Sequence, residues 1–147
     1  RSLKMSVKEL QDKIVSNLKT WQKVEDATIL QTSEIISKTE NPVIRMIMEI
    51  IRSDSLNHHR VQQLIVHGLR EETTTLNTDD LTEVWSMIEK HIEMEKRTAE
   101  LARACLTSLE GTKLVIPEYF LNYLLEDEEK HDRLLDNLSK IKKGMYP

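Results

Sequence analysis

Only three glycines and three prolines interrupt 147 residues. Between them apolar side chains recur every three or four positions, the spacing of a helix face and not of a strand. From Ser6 to about Ser37 the line runs through Val7, Leu10, Ile14, Leu18, Trp21, Thr28 and Ile35. Asn41 then Pro42 reads as an N-cap followed by proline at the first helical position. The second helix extends to about Val66, with Ile44, Ile47, Met48, Ile51, His58 and Ile65 inward and Gly68 near its end. The third begins near Asn77 or Thr78, turns Val84, Ile88, His91, Ile92, Ala99, Ala102 and Leu106 inward, and ends at Gly111. Pro117 opens the fourth, whose inward face carries Phe120, Leu124, Leu135 and Leu138.

The expectation is an all-α chain, a four-helix bundle forming a single domain over residues 1–147. The polar stretch Arg70 to Thr78 has no periodicity. Fully extended it reaches roughly 30 Å, enough for a long crossover between the second and third helices.

A net charge of −4 gives no electrostatic case for nucleic acid. Cys105 is the only cysteine, which excludes an internal disulfide and a thiolate metal cluster; it reads as a small buried apolar residue. No apolar stretch approaches the roughly 20 residues of a membrane span, and no signal peptide opens the sequence. The chain is expected to be soluble and cytoplasmic.

Against this apolar background a few ionisable residues stand where core residues belong. Glu25 and Glu95 fall on the inward stripes, where an unpaired carboxylate is costly. Near the C-terminus, Asp127-Glu128-Glu129-Lys130-His131 puts Glu128 and His131 on one helix face with Asp127 beside them, a metal-ligand spacing. Residues 50–60 echo this run, with Asp54 matching Asp127 and His58 matching His131, but Ser55 stands where Glu128 does. Glu25 and His58 bracket the first turn, near residue 40, and Glu95 and Glu128 bracket the second, near residue 113. In a bundle they can meet at one level. The candidate metal ligands are therefore Glu25, His58, Glu95, Glu128 and His131, with Asp54 four residues before His58 as a further candidate.

This set resembles the ferritin-like superfamily, in particular its rubrerythrin-related carboxylate proteins. The resemblance rests on D-E-x-x-H at 127 to 131 and H-x-x-x-E at 91 to 95, with Glu25 matching the other lone glutamate. It implies iron, as a di-iron or mixed iron–manganese centre with zinc as a further possibility, chemistry with oxygen or peroxide, and a homo-oligomer, most simply a dimer. By the same resemblance Asp54 would orient His131 and Asp127 would orient His58, or Asp54 would itself ligate. Ser55 departs from the family pattern, since a hydroxyl is a poor substitute for a bridging carboxylate. The competing reading is a helical interaction protein with a degenerate site.

Overall fold

Local chemistry fixes the helix starts. The Ser6 hydroxyl accepts from the Glu9 amide at 3.2 Å and opens α1 (Val7–Lys38). Asn41 accepts from the amides of Val43 and Ile44 and opens α2 (Pro42–Arg70), with Pro42 in the first turn. Asn77 and Asp80 form a reciprocal capping box at the start of α3 (Thr78–Ser108). The last helix, α4 (Val115–Met145), begins two residues before the expected Pro117, which sits within its first turn. Gly111, at φ +77°, supplies the left-handed residue of the turn between α3 and α4. The computed structural model describes residues 4–71 and 74–145. Among these there is no strand, and no helix is long and apolar enough to cross a membrane. The chain is all-α, with four helices.

The helices form two antiparallel hairpins, α1 with α2 and α3 with α4. In the first, Asp12 pairs with Arg70 and Glu25 with His58; in the second, Trp85 lies under Lys142 and Glu95 faces His131. The hairpins repeat one another in length as well as in motif. The first helix of each ends 70 residues apart, at Lys38 and Ser108, and the second starts 73 apart, at Pro42 and Val115. The difference is taken up in the longer second turn.

Each helix meets its hairpin partner along a seam spaced alternately four and three residues, as in a coiled coil. On α1 this seam is Val15, Leu18, Gln22, Glu25, Ile29 and Thr32; on α3 it is Trp85, Ile88, Ile92, Glu95, Ala99 and Ala102. On α2 it includes Ser55, His59, Gln62 and Val66, and on α4 Leu125, Glu128, Asp132 and Leu135. All are buried or half-buried. The densest apolar contact in the first hairpin joins Val15, Leu18, Val66 and Leu69.

This seam differs from the stripes expected from sequence. Ile14, Trp21, Ile35, Ile44, Ile51, Ile65, Val84 and Leu124, expected to face inward, lie outside the seam and are exposed on their own hairpins. Most of them sit one position before a seam residue. One position is about 100° of rotation, so in an antiparallel pair these residues gather on one flank of the hairpin. The positions following the seam gather on the other flank, which is polar and charged: Asp12, Lys23 and Arg70 in the first hairpin, Glu93, Arg103 and Lys140 in the second. Cys105, expected to be buried, lies exposed on the apolar flank.

Seam and flank should separate in stability. Leu18 is 8% exposed and Leu30, on the charged flank, 72%. Leu18→Ala is expected to cost about 2–4 kcal/mol in urea unfolding and Leu30→Ala less than about 0.5 kcal/mol. Equal costs would overturn the assignment of the seam.

Candidate metal centre

Each hairpin holds one buried glutamate at its middle, on the first of its two helices: Glu25 in one, Glu95 in the other. Each faces a histidine from the opposite helix. His58 Nδ1 lies 3.3 Å from Glu25 Oε1, and His131 Nδ1 lies 3.3 Å from Glu95 Oε2. Each glutamate also meets a ring nitrogen one turn earlier on its own helix. The Trp21 indole donates to Glu25 Oε1 at 3.0 Å, and His91 Nε2 lies 2.8 Å from Glu95 Oε1. The repeat thus matches Glu25 with Glu95, Trp21 with His91 and His58 with His131.

The hairpins differ where Ser55 replaces a carboxylate. Glu128 sits on the seam of α4 beside Glu95, with Oε2 3.8 Å from His131 Nδ1 and 2.8 Å from the Thr98 hydroxyl. One oxygen from each of Glu95 and Glu128 and one ring nitrogen of His131 all lie within 4.8 Å of one another. The chain thereby presents two carboxylates and an imidazole from two helices at a single point. Asp127 does not enter this group. Its Oδ2 is 3.5 Å from His131 Nε2, the ring nitrogen turned away from Glu95, and its Oδ1 pairs with Lys130 at 2.9 Å. A carboxylate there favours the tautomer with hydrogen on Nε2, which leaves the Nδ1 lone pair for the centre.

Two carboxylates this close cannot both ionise freely. Hydrogen bonding with Glu128 holds Glu95 below the ordinary carboxylate range, helped by His131 and His91 and opposed by burial. The same bond pushes Glu128 above that range, with burial adding to the effect and Thr98 opposing it. Of the two carboxylates, Glu128 is the one that holds its proton to higher pH. A divalent ion would take the place of that proton, and the oxygen and nitrogen donors suit iron, manganese or zinc.

In the first hairpin, Glu25 and His58 come together without a second carboxylate. Ser55 is buried on the seam, and Asp54, on the flank beside it, is half-buried. A second imidazole–carboxylate pair, His59 with Asp26 at 3.0 Å, lies alongside. Gln22 Nε2 reaches across to Gln63 Oε1 at 3.0 Å, while the buried Gln62 Oε1 has no hydrogen-bond partner among the described residues. Sequence reasoning missed Trp21 as a partner of Glu25 and Thr98 as a partner of Glu128. The signal for the tryptophan was its position one turn before Glu25, the place His91 holds before Glu95.

The raised Glu128 and lowered Glu95 act on stability with opposite signs. Glu95 contributes stability above the ordinary carboxylate pKa, lost as pH falls through its lowered value. Glu128 holds its proton longer in the folded chain than in the unfolded one, so its contribution is lost as pH rises past the ordinary carboxylate range. A Glu128→Gln amide donates to Glu95 permanently. Metal-free Glu128→Gln should therefore be more stable than wild type at neutral pH, by on the order of 1 kcal/mol, and about equal to it in acid. Thermal melts at the two pH values check this; a less stable variant at neutral pH would contradict the raised Glu128.

No protein-family model, no curated protein and no solved structure matches this chain.

Proposed function

We propose that this chain is a ferritin-like, non-haem metal protein whose second hairpin binds iron or manganese through Glu95, Glu128 and His131, with zinc as a competing occupant. The observation that carries the proposal is the convergence of those three donors within 4.8 Å at the middle of a helical hairpin. Three protein ligands leave positions open, and a bound iron or manganese ion would supply redox and Lewis-acid chemistry toward oxygen or peroxide. The chain's own part is to orient donors. His91 holds one oxygen of Glu95, Thr98 holds one of Glu128, and Asp127 holds the far side of the His131 ring.

For the first hairpin, a specific observation favours a structural role. Glu25 Oε1 already takes the Trp21 indole and lies against His58, so two protein groups occupy an oxygen that a metal would otherwise need. Any cation held there would have one carboxylate fewer and bind more weakly.

Metal titration followed by elemental analysis tests the reading. Wild type should retain iron or manganese through dialysis, Glu128→Ala should lose most of it, and Glu93→Ala, on the charged flank, should keep it. Affinity should fall as pH falls, because the incoming ion must displace the Glu128 proton into solvent. Equal metal content in the two variants would sink the assignment.

Ser55→Glu supplies the first hairpin with the carboxylate that the second already has. It should add a further equivalent of bound ferrous ion. If wild type already takes up two equivalents with equal affinity, the lopsided reading of the two hairpins is wrong.

A further inference from the structure

Thr98 stands one turn after Glu95 on α3, and its hydroxyl meets two acceptors at once. The oxygen lies 2.8 Å from the main-chain carbonyl of Glu95 and 2.8 Å from Glu128 Oε2 on α4. A hydroxyl has one hydrogen to give. The Glu95 carbonyl lies inside α3 and already accepts in the helical ladder, whereas Glu128 is reached across the seam. A carboxylate that ligates a cation carries no proton and can only accept, so the threonine hydrogen must then go to it. A bond to such a charged oxygen is roughly twice as strong as one to a neutral carbonyl.

The first hairpin holds the same residue without the carboxylate. Thr28 precedes Thr98 by the interval that separates Glu25 from Glu95, and Ser55 precedes Glu128 by the interval that separates His58 from His131. There the Thr28 hydroxyl turns back to the Val24 carbonyl at 3.0 Å, the ordinary bond of a threonine inside a helix. The two threonines thus differ in setting as the residues opposite them differ: Thr98 reaches across its seam to a carboxylate, and Thr28, with a serine opposite, bonds its own helix.

Glu128 needs such a hold. Its side chain is long, it stands beside a second carboxylate, and bringing two like charges together favours the rotamers that carry one of them out to water. His131 Nδ1, 3.8 Å from the same oxygen, is beyond hydrogen-bond range. We infer that Thr98 is the positioning residue of the second hairpin's centre: its hydroxyl, carried on α3, holds the carboxylate of α4 in place to ligate beside Glu95 and His131. The inference rests on the metal-binding reading of those three residues.

Titration with manganous ion, followed through loss of the free ion's electron paramagnetic resonance signal, tests it. Thr98→Val keeps the branched shape without the hydroxyl and should weaken binding about tenfold or more. Thr98→Ser returns the hydroxyl and should recover most of that loss. Thr28→Val makes the same change in the first hairpin and should leave the affinity as it was. Equal binding by Thr98→Val and wild type, or a Thr98→Ser as weak as Thr98→Val, would overturn the proposal. The contact itself is read without metal. In chelator, Thr98→Val and Glu128→Ala should couple by about fivefold in the unfolding equilibrium constant, and Thr28→Val and Ser55→Ala should not couple. Coupling in a chain that takes up no manganese keeps the contact and removes the metal reading; uptake that neither couples to Thr98 nor weakens in Thr98→Val does the reverse.

Discussion

The buried carboxylate at the middle of each hairpin is the constraint to which its neighbours answer. A glutamate on a helix–helix seam loses most of its hydration and must recover it from fixed partners. Around Glu95 those partners are His91 from its own helix and His131 and Glu128 from the opposite one. Around Glu25 they are Trp21 and His58. Two helices can bring such groups together only if they run antiparallel with the turn at a fixed distance. The hairpins keep this relation although their turns differ in length, because Glu25 and Glu95 stand equally far from the ends of their helices, at Lys38 and Ser108, and His58 and His131 equally far from the starts of theirs, at Pro42 and Val115.

The periodicity of the sequence was sufficient for the four helices, and Asn41, Pro42 and Asn77 were sufficient for two of their starts. Which side of each helix its hairpin partner covers was not legible. On a heptad spacing the positions at i and at i−1 form two adjacent stripes, and here both contain apolar residues. Trp21, Ile14 and Ile51 look more like core than Gln22, Ser55 and Gln62 do, yet the polar residues are the ones enclosed. The charged flank held the information. Seam residues lie between a charged stripe and an apolar one on every helix, and that boundary locates them better than hydrophobicity alone.

The candidate ligands were easier to find than the core for a related reason. Glu128 and His131 are three apart on one helix, so local geometry alone puts them together. Pairing Glu95 with His131, or Glu25 with His58, needed only the position of a turn. By contrast, the partner of Asp127 depends on which way a ring faces. In the second hairpin it lies against His131 of its own helix, a contact that spacing permits but does not require.

The difference between the hairpins follows from one position. With Glu128, the second seam holds two adjacent carboxylates, one raised in pKa by the other, an arrangement that costs stability as the pH rises and that a cation would relieve. With Ser55, the first seam has no such conflict, since its single glutamate is matched by an indole and an imidazole. A serine there lowers the electrostatic cost of the seam and removes a donor at the same time. Stability and ligand capacity are thus set against each other at the same position of the same fold, and the chain carries one hairpin resolved each way.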